Sequence, residues 1–434
     1  MNKTESSPKL VRTVSRWQIV GISINDVIGS GVFLLPAAAA ILLGGASIWA
    51  VFLAGLAVAI LVLCFAEASS YFDEPGGAYL YTREAFGEFI GFEVGWMTWL
   101  ARVTSVASLS VGFALACSYV WPQAAEGWGR ILVITSSLSF LTWINIIGVK
   151  QGAKTAVFLT IAKSIPLVAF IGIGVFAVKW ELVTGPSPAI TFDSLSEAVL
   201  LLLFAYVGFE NAPAAAGEYK NPKKDVPFAL LIMVLLVTVI YTLVQFVAVG
   251  TYPALQASES PLADSGAYFA GAGMALLMTI GAMVSIFGNV GNTTLIGPRY
   301  LYALAKDGYG FRALAKIHPR YRTPAVAILV QSGIALVLAI SGSFVGLAML
   351  SIIARLATYV GTAAAVPILR KRFPNNPNAI RLPGGYTIPV IALLICAIFL
   401  ISTTVENLIA GVLALLFGAV IFYFRSGDKK GSSE

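Results

Sequence analysis

Stretches of about twenty predominantly apolar residues recur along this whole chain, and one such stretch can cross the hydrocarbon core of a bilayer as a helix. The chain is 58% hydrophobic and 11% charged, whereas soluble domains average roughly 45–50% apolar and about 25% charged residues. The sequence therefore excludes a soluble globular fold and predicts an all-α integral membrane protein with twelve transmembrane helices. The approximate spans are 17–43, 46–70, 85–120, 130–149, 154–178, 196–217, 226–250, 271–305, 324–341, 344–369, 386–404 and 407–425.

Lysine and arginine residues are distributed unevenly between the predicted connections. If the first helix enters from the cytoplasm, most of the 28 Lys and Arg residues lie in inside segments, and only Arg130 and Lys179 lie in outside loops. This is the positive-inside distribution of membrane proteins, so the net charge of +7 does not call for a nucleic-acid partner. We expect a multi-pass protein of the cell (inner) membrane with both tails, 1–16 and 426–434, in the cytoplasm.

The predicted spans group as five, five and two. The repeats cover residues 17–178 and 196–369, and two additional helices follow at 386–425. Segment one carries Gly29-Ser30-Gly31, and segment six, five helices later, carries Gly208. Helix breakers in corresponding members of two halves indicate a midplane binding site in inverted-repeat transporters. The pattern predicts an inverted 5+5 (LeuT-like) repeat with broken helices 1 and 6.

The first break lies within Asn25–Phe33. If the helix unwinds there, its outer half begins near Gly31 with exposed amides that suit a carboxylate, and its inner half ends in carbonyls that suit a cation. The alternative is a close-packing patch of small residues. At the second break, carbonyls before Gly208 could accept hydrogen bonds from an ammonium group. Three aromatic residues there either form a wall or lid or pack against lipid and other helices: Phe204, Tyr206 and Phe209.

Lys163 lies near the centre of segment five, where a lysine costs about 2.5–3.5 kcal/mol on insertion scales. It could replace a bound sodium ion as a fixed or titrating cation, or form a structural ion pair with Asp26 or Glu67. Glu210 follows the second break directly, so gating or proton handling is expected there. Asp26 lies one turn before the first break and could face the same cavity.

Other polar residues lie within the apolar segments. Asn289 and Asn292 in segment eight could line the cavity or bridge helices. The remaining charged groups are interpreted as structural pairs or helix-end groups, because unpaired buried charge is expensive. They are Glu67, Glu93, Arg102, Arg299 and Arg355.

The residues required for other classes of membrane protein are missing from the sequence. The single histidine, His318, lies in a predicted loop, and the three cysteines are far apart. No nucleophile–base pair or metal-ligand spacing results, so we expect neither an enzyme nor a cofactor or metal site. A channel would need a continuous polar pore or a filter-like ring, which the sequence lacks. The oligomeric state is not indicated.

Several stretches together resemble the amino acid–polyamine–organocation superfamily over essentially the whole length, and the best matches are bacterial amino acid permeases. These include the arginine–agmatine exchanger and cationic amino acid transporter branches. The stretches are specific by their order and spacing. They are Gly29–Phe33, Pro75–Tyr81, Gly91–Trp96, Gly208–Glu210, Gly217–Pro227, Arg299–Gly308 and Arg381–Gly385.

The resemblance implies a twelve-helix inverted 5+5 fold in which the substrate carboxylate meets the Ser30–Gly31 amides. It implies that the substrate ammonium group meets carbonyls near Phe204 and Val207. It also implies that Lys163 takes the place of a lost sodium site and that Glu210 is linked to gating and pH. Phe204 stands where the arginine–agmatine branch has a tryptophan lid, and Asp26 where that branch has a polar amide, so a cationic substrate does not follow.

The sequence thus predicts a secondary transporter that moves amino acids by alternating access, coupled to protons and independent of sodium. Obligate exchange, of an amino acid for another or for a polyamine, is the alternative. The expected partners are a small-molecule amino acid, protons and the lipid bilayer. The expected substrate-binding residues are Val27, Ser30, Gly31, Phe204, Val207, Gly208 and Asn292, and the expected coupling or gating residues are Lys163, Glu210 and Asp26.

Overall fold

A computed structural model describes residues 12, 14–74, 76–148, 153–185, 187–214, 216, 219–376 and 379–430. Most of the predicted tail 1–16, the end of the tail 426–434, and Lys150 of a predicted inside loop lie outside these residues. The same holds for Pro75, Gly217 and Glu218 of the family-like stretches.

Helices make up the regular structure of the described residues, and one isolated parallel bridge pairs Val14 with Tyr219. The helices are α1 (Arg16–Val27), α2 (Gly31–Leu43), α3 (Ser47–Ser70), α4 (Gly77–Phe86), α5 (Glu88–Ser118), α6 (Gly127–Ile147), α7 (Ala153–Gly174), α8 (Trp180–Val183), α9 (Phe192–Tyr206), α10 (Asn211–Ala214), α11 (Pro222–Thr251), α12 (Pro261–Ala270), α13 (Ala272–Lys306), α14 (Ala325–Ser341), α15 (Phe344–Arg372), α16 (Thr387–Ile401) and α17 (Val405–Lys430).

Nine helical stretches of the described chain are long and apolar enough to cross a membrane. One of them, Gly31–Ser70, includes parts of two predicted segments, and the shorter apolar helices Ala325–Ser341 and Thr387–Ile401 coincide with two others. Every predicted segment therefore has a helical counterpart, although the number of spans stays a prediction. The other eight stretches are Glu88–Ser118, Gly127–Ile147, Thr160–Ala177, Phe192–Ala214, Pro222–Thr251, Ala272–Lys306, Phe344–Arg372 and Val405–Phe424.

Segments one and six are both interrupted at the predicted places. Segment one is divided into α1 and α2, with residues 28–30 between them, and segment six into α9 and α10, with residues 207–210 between them. The short helices α4, α8 and α12 were not among the predicted spans. They are 10, 4 and 10 residues long, too short to give the apolar stretch that identifies a spanning helix.

Helix α5 lies at the centre of the bundle and packs against α13 and α15. Small hydroxyl side chains join α5 to α15, with Ser105 2.8 Å from Ser351 and Thr98 2.9 Å from Thr358 between hydroxyl oxygens. Helices α3 and α11 approach closely at Gly55, where an added Cβ would lie 2.4 Å from the Thr238 side chain. Small and hydroxyl residues are the usual means of packing helices in a bilayer.

The predicted structural ion pairs are present in part. Glu67 is fully buried and forms a two-pronged pair with Arg370, at 2.5 and 2.6 Å, while the Leu382 amide donates to it at 3.1 Å. Glu93 differs from the expectation, because neither of its carboxylate oxygens has a hydrogen-bond partner among the described residues. It packs instead against Gly418 of α17.

Candidate functional site

The first break exposes hydrogen-bonding groups on both of its sides. Helix α2 begins at Gly31, and its first amides have no acceptor inside the helix. Within the described chain, the Ser30, Gly31 and Val32 amides donate no backbone hydrogen bond. The Ser30 hydroxyl is buried and also lacks a partner there. This end of α2 therefore presents donors and the positive end of a helix dipole.

The carbonyl end of α1 is occupied by side chains from three other helices. Two of its carbonyls, those of Asn25 and Ile28, accept from the Lys163 ammonium group of α7. The Asp26 carbonyl accepts from Asn289 of α13 at 3.3 Å. The other partners are Tyr241 of α11 for Val27 and Ser285 of α13 for Ile28, each at 3.1 Å. Side chains thus replace the helical partners that the break removes.

The second break depends on Gly208, whose φ of 122° is readily adopted only by glycine. The Val207 carbonyl follows the end of α9 and accepts no hydrogen bond from a described residue. By contrast, the Ala205 carbonyl accepts from the Tyr241 hydroxyl at 3.1 Å. The Val207 carbonyl is therefore an acceptor that the second break leaves for a ligand.

The two breaks are in direct contact. A Cβ on Gly31 would lie 2.5 Å from the Ala205 Cα, and one on Gly208 would lie 2.7 Å from the Asp26 carbonyl oxygen. Tyr241 lies within hydrogen-bonding distance of both breaks, with its hydroxyl 3.1 Å from the Val27 and Ala205 carbonyls. Close packing by small residues, considered above as an alternative to unwinding, thus occurs together with it.

A cavity lies between the two breaks and helices α5, α13 and α15. All seven residues expected to bind substrate line it: Val27, Ser30, Gly31, Phe204, Val207, Gly208 and Asn292. The ring of Phe204 packs edge-on against Phe344, with ring centroids 5.9 Å apart. The other lining residues are Asp26, Gly29, Arg102, Ser105, Leu109, Asn211, Asn289, Thr293 and Arg355.

Lys163 lies behind the cavity wall rather than on it. Its side chain is 1% exposed, and its ammonium nitrogen is 3.0 Å from the Asn25 carbonyl, 3.1 Å from the Ile28 carbonyl and 2.8 Å from Asn289 Oδ1. These three neutral oxygens take all three of its N–H groups. The expected alternative, an ion pair with Asp26 or Glu67, is wrong, because neither carboxylate lies within 4.0 Å of Lys163.

Asp26 faces the cavity, as its position before the first break indicates. Its two carboxylate oxygens accept hydrogen bonds from the side-chain amides of Asn292 and Asn211. No lysine or arginine among the described residues forms an ion pair with it. Asn289 and Asn292 therefore do both things considered for them, because they line the cavity and also bridge helices.

Glu210 is the centre of a buried cluster of charged residues. One carboxylate oxygen accepts from Arg355 of α15 at 2.9 Å and from Arg102 of α5 at 3.3 Å. The other oxygen accepts from the Gly208 amide at 3.0 Å. The three charged side chains are 2–4% exposed, and Arg102 also donates to Asn211. The cluster therefore ties the second break to α5 and α15.

Comparison with known proteins agrees with this architecture. A family model described as amino acid permease matches residues 14–425. The chain belongs to the amino acid permease family. The match includes both breaks and every helix that lines the cavity, so the permease carries the family pattern over nearly all of its length, and the resemblance to the amino acid–polyamine–organocation superfamily is confirmed.

Curated relatives cover almost the whole permease. It is 31% identical over 417 residues to the serine/threonine exchanger SteT of Bacillus subtilis, which covers 94% of each chain. It is 27% identical to the branched-chain amino acid permease BcaP of the same organism, over 98% of this chain and 95% of the relative. A methylthioribose transporter of that organism is 26% identical, over 98% of this chain and 96% of the relative.

Some residues at the site of the permease were not recognised from the sequence. Arg102 and Arg355, which the sequence analysis interprets as structural pairs or helix-end groups, both line the cavity. Tyr241 is a further residue of this junction. The available signal for the arginines was their position inside apolar segments, since intramembrane charges mark functional sites by default. Tyr241 gives no such signal, because its side chain is uncharged.

Proposed function

We propose that the permease carries amino acids across the cell membrane by alternating access, with proton coupling and without sodium. The supporting observation is that two broken helices meet at one cavity. One break offers free amides at Ser30 and Gly31, and the other a free carbonyl at Val207. Amides and a helix N-terminus suit the substrate carboxylate, and carbonyl oxygens suit its ammonium group. Val27, Phe204, Gly208 and Asn292 complete the proposed binding site.

Sodium independence is supported by the surroundings of Lys163. Its ammonium nitrogen has three oxygen partners within 3.1 Å, in the place where the freed carbonyls of α1 would otherwise suit a metal cation. A resident ammonium group supplies the charge that a bound sodium ion would bring. Lys163 is therefore proposed as the coupling or charge-fixing residue, with Asp26 as the acid nearest to it at the cavity.

Glu210 is proposed as a gating residue. Its two arginine partners and the Gly208 amide join the second break to α5 and α15. Movement of this break relative to those helices would break the ion pairs of Glu210 with Arg102 and Arg355. Glu210 would thereby couple the position of the second break at the cavity to the conformation of the transporter.

The proposed topology has two repeats and cytoplasmic termini. Residues 17–178 and 196–369 form two inverted five-helix repeats, residues 386–425 form two additional helices, and both termini lie in the cytoplasm. The uneven distribution of Lys and Arg supports this orientation.

Uptake of labelled amino acids into proteoliposomes tests the proposal. Vesicles are empty or preloaded, with or without an inward proton gradient, in sodium or choline buffer. We expect uptake into empty vesicles. This uptake should rise with the proton gradient and be equal in the sodium and choline buffers. Uptake only into preloaded vesicles would instead establish obligate exchange, the second candidate, which the 31% identity to an exchanger favours. Absence of any amino acid transport would refute both candidates.

A further inference from the structure

Part of the cavity wall is formed by helices α5 and α15, rather than by the two breaks or α13. These two helices contribute Arg102, Ser105, Leu109 and Arg355. If the substrate backbone lies between the two breaks, as proposed above, its side chain faces this wall. The chemistry of this wall therefore determines which side chains are accepted.

Arg102 has a buried Nε–H group without a hydrogen-bond partner among the described residues. Its NH2 group is occupied by Glu210 and Asn211, and its side chain is 2% exposed. A buried donor left unpaired costs roughly 1–3 kcal/mol, and a ligand in the cavity that supplies an acceptor would remove this cost. Glu210 anchors the guanidinium group, which fixes the direction of the free N–H.

Charged groups of both signs surround this cavity. Arg102 and Arg355 share the Glu210 carboxylate, and the charge of Lys163 lies behind the cavity wall. Asp26 faces the cavity and forms no ion pair among the described residues. A cationic side chain would lie beside two guanidinium groups, and an anionic one would share the cavity with Asp26. Uncompensated charge in a dry site is expensive, so a neutral side chain fits best.

We propose that Arg102 determines the substrate class of this permease: neutral amino acids with a short side chain that carries an oxygen acceptor, such as a hydroxyl or a carboxamide. The inference rests on the proposed function. Arg102 acts by donating Nε–H to the side-chain oxygen, and Leu109 and Phe204 limit its length. The residue also excludes lysine and arginine as substrates by its charge.

Threonine and valine give the sharpest comparison, because they have nearly the same shape and differ by one hydroxyl group. Competition against labelled threonine binding is measured on the purified full-length protein. Wild type is expected to bind threonine roughly 10- to 100-fold more tightly than valine, as for a hydrogen bond to a charged group. Lysine is expected to compete poorly.

Three variants separate the hydrogen bond from the charge. Arg102→Met is expected to lose the preference for threonine over valine and to bind lysine more tightly. Arg102→Met with Glu210→Gln removes one charge of each sign and so returns the site to its wild-type net charge. The threonine preference is expected to stay lost, while lysine is again excluded. Arg102→Lys keeps charge and donors and retains the threonine preference in part. Arg130→Met is the control, because Arg130 donates to carbonyls of Ala339 and Gly342 away from the cavity.

The outcomes distinguish the two proposals. If Arg102→Met keeps the wild-type ratio of threonine to valine affinity, or if wild type binds lysine as well as threonine, the role of Arg102 is refuted while amino acid transport stands. If Arg102→Met binds neither threonine nor valine, the test rests on Arg102→Lys. A loss of the threonine preference in Arg102→Lys would then refute the inference. Wild type that transports no amino acid refutes the proposed function itself.

Discussion

Gly31→Ala tests whether the contact between the two breaks is required for transport. The new Cβ would lie 2.5 Å from the Ala205 Cα and 2.6 Å from its Cβ, whereas ordinary contact begins at 3.4 Å. The two helices must therefore separate by about 0.9 Å, which is 3.4 minus 2.5 Å. Overpacking of this size costs typically about 1–3 kcal/mol. A free-energy change of about 1.4 kcal/mol corresponds to a tenfold change in the dissociation constant. Affinity for the substrate should therefore fall roughly 5- to 150-fold if the cost falls on the substrate-bound state.

The assay is the concentration dependence of amino acid uptake into proteoliposomes, together with thermal unfolding of the purified protein. Gly172→Ala and Gly333→Ala are the matched controls, since a Cβ at either position would meet nothing within 4 Å. Adding Ala205→Gly to Gly31→Ala should not restore uptake, because the 2.5 Å contact is to a backbone atom. The reasoning is refuted if Gly31→Ala behaves like the two controls, or if the double variant regains wild-type uptake.

Two further perturbations address coupling and a contact outside the cavity. Lys163→Ala removes the donor shared by three buried oxygens, of which the Ile28 carbonyl keeps Ser285 as a partner, and it should abolish the pH dependence of uptake. Lys179→Ala is the control, and full pH-dependent uptake in Lys163→Ala would exclude a coupling role. Tyr79→Phe removes a 2.8 Å hydrogen bond to Asp307, worth about 1 kcal/mol. Burial and this bond raise the pKa of Tyr79 to about 12, so the tyrosine stays protonated at neutral pH. In thermal unfolding, the loss of stability of Tyr79→Phe relative to wild type should therefore be the same at roughly pH 6 and pH 8. A deficit that varies between them would contradict this protonation state.

The positions of both breaks could be predicted from the sequence because their cause is local. Gly29, Gly31 and Gly208 interrupt otherwise apolar helices, and glycine weakens a helix wherever it stands. The amides at one break and the carbonyls at the other follow from helix geometry alone. The cavity-lining residues near the breaks were accordingly found without knowledge of the packing.

The partners of the buried charges could not be predicted, because they depend on which helices become neighbours. Glu210 pairs with Arg102, 108 residues away, and with Arg355, 145 residues away, and no local pattern selects these from the other charges. Lys163 shows the same limit. Its partners are backbone carbonyls and Asn289, whereas the sequence offers Asp26 and Glu67 as possible ion-pair partners.

Tyr241 lies within reach of the Val27 and Ala205 carbonyls, yet a phenol carries only one hydrogen. At any moment it can donate to the carbonyl of one break only, and the carbonyl of the other break then lacks this donor. The two arrangements have equal oxygen–oxygen distances of 3.1 Å, so neither is favoured by geometry. The two halves of the site therefore compete for a single proton at their point of contact, which leaves this junction free to rearrange rather than locked in one state.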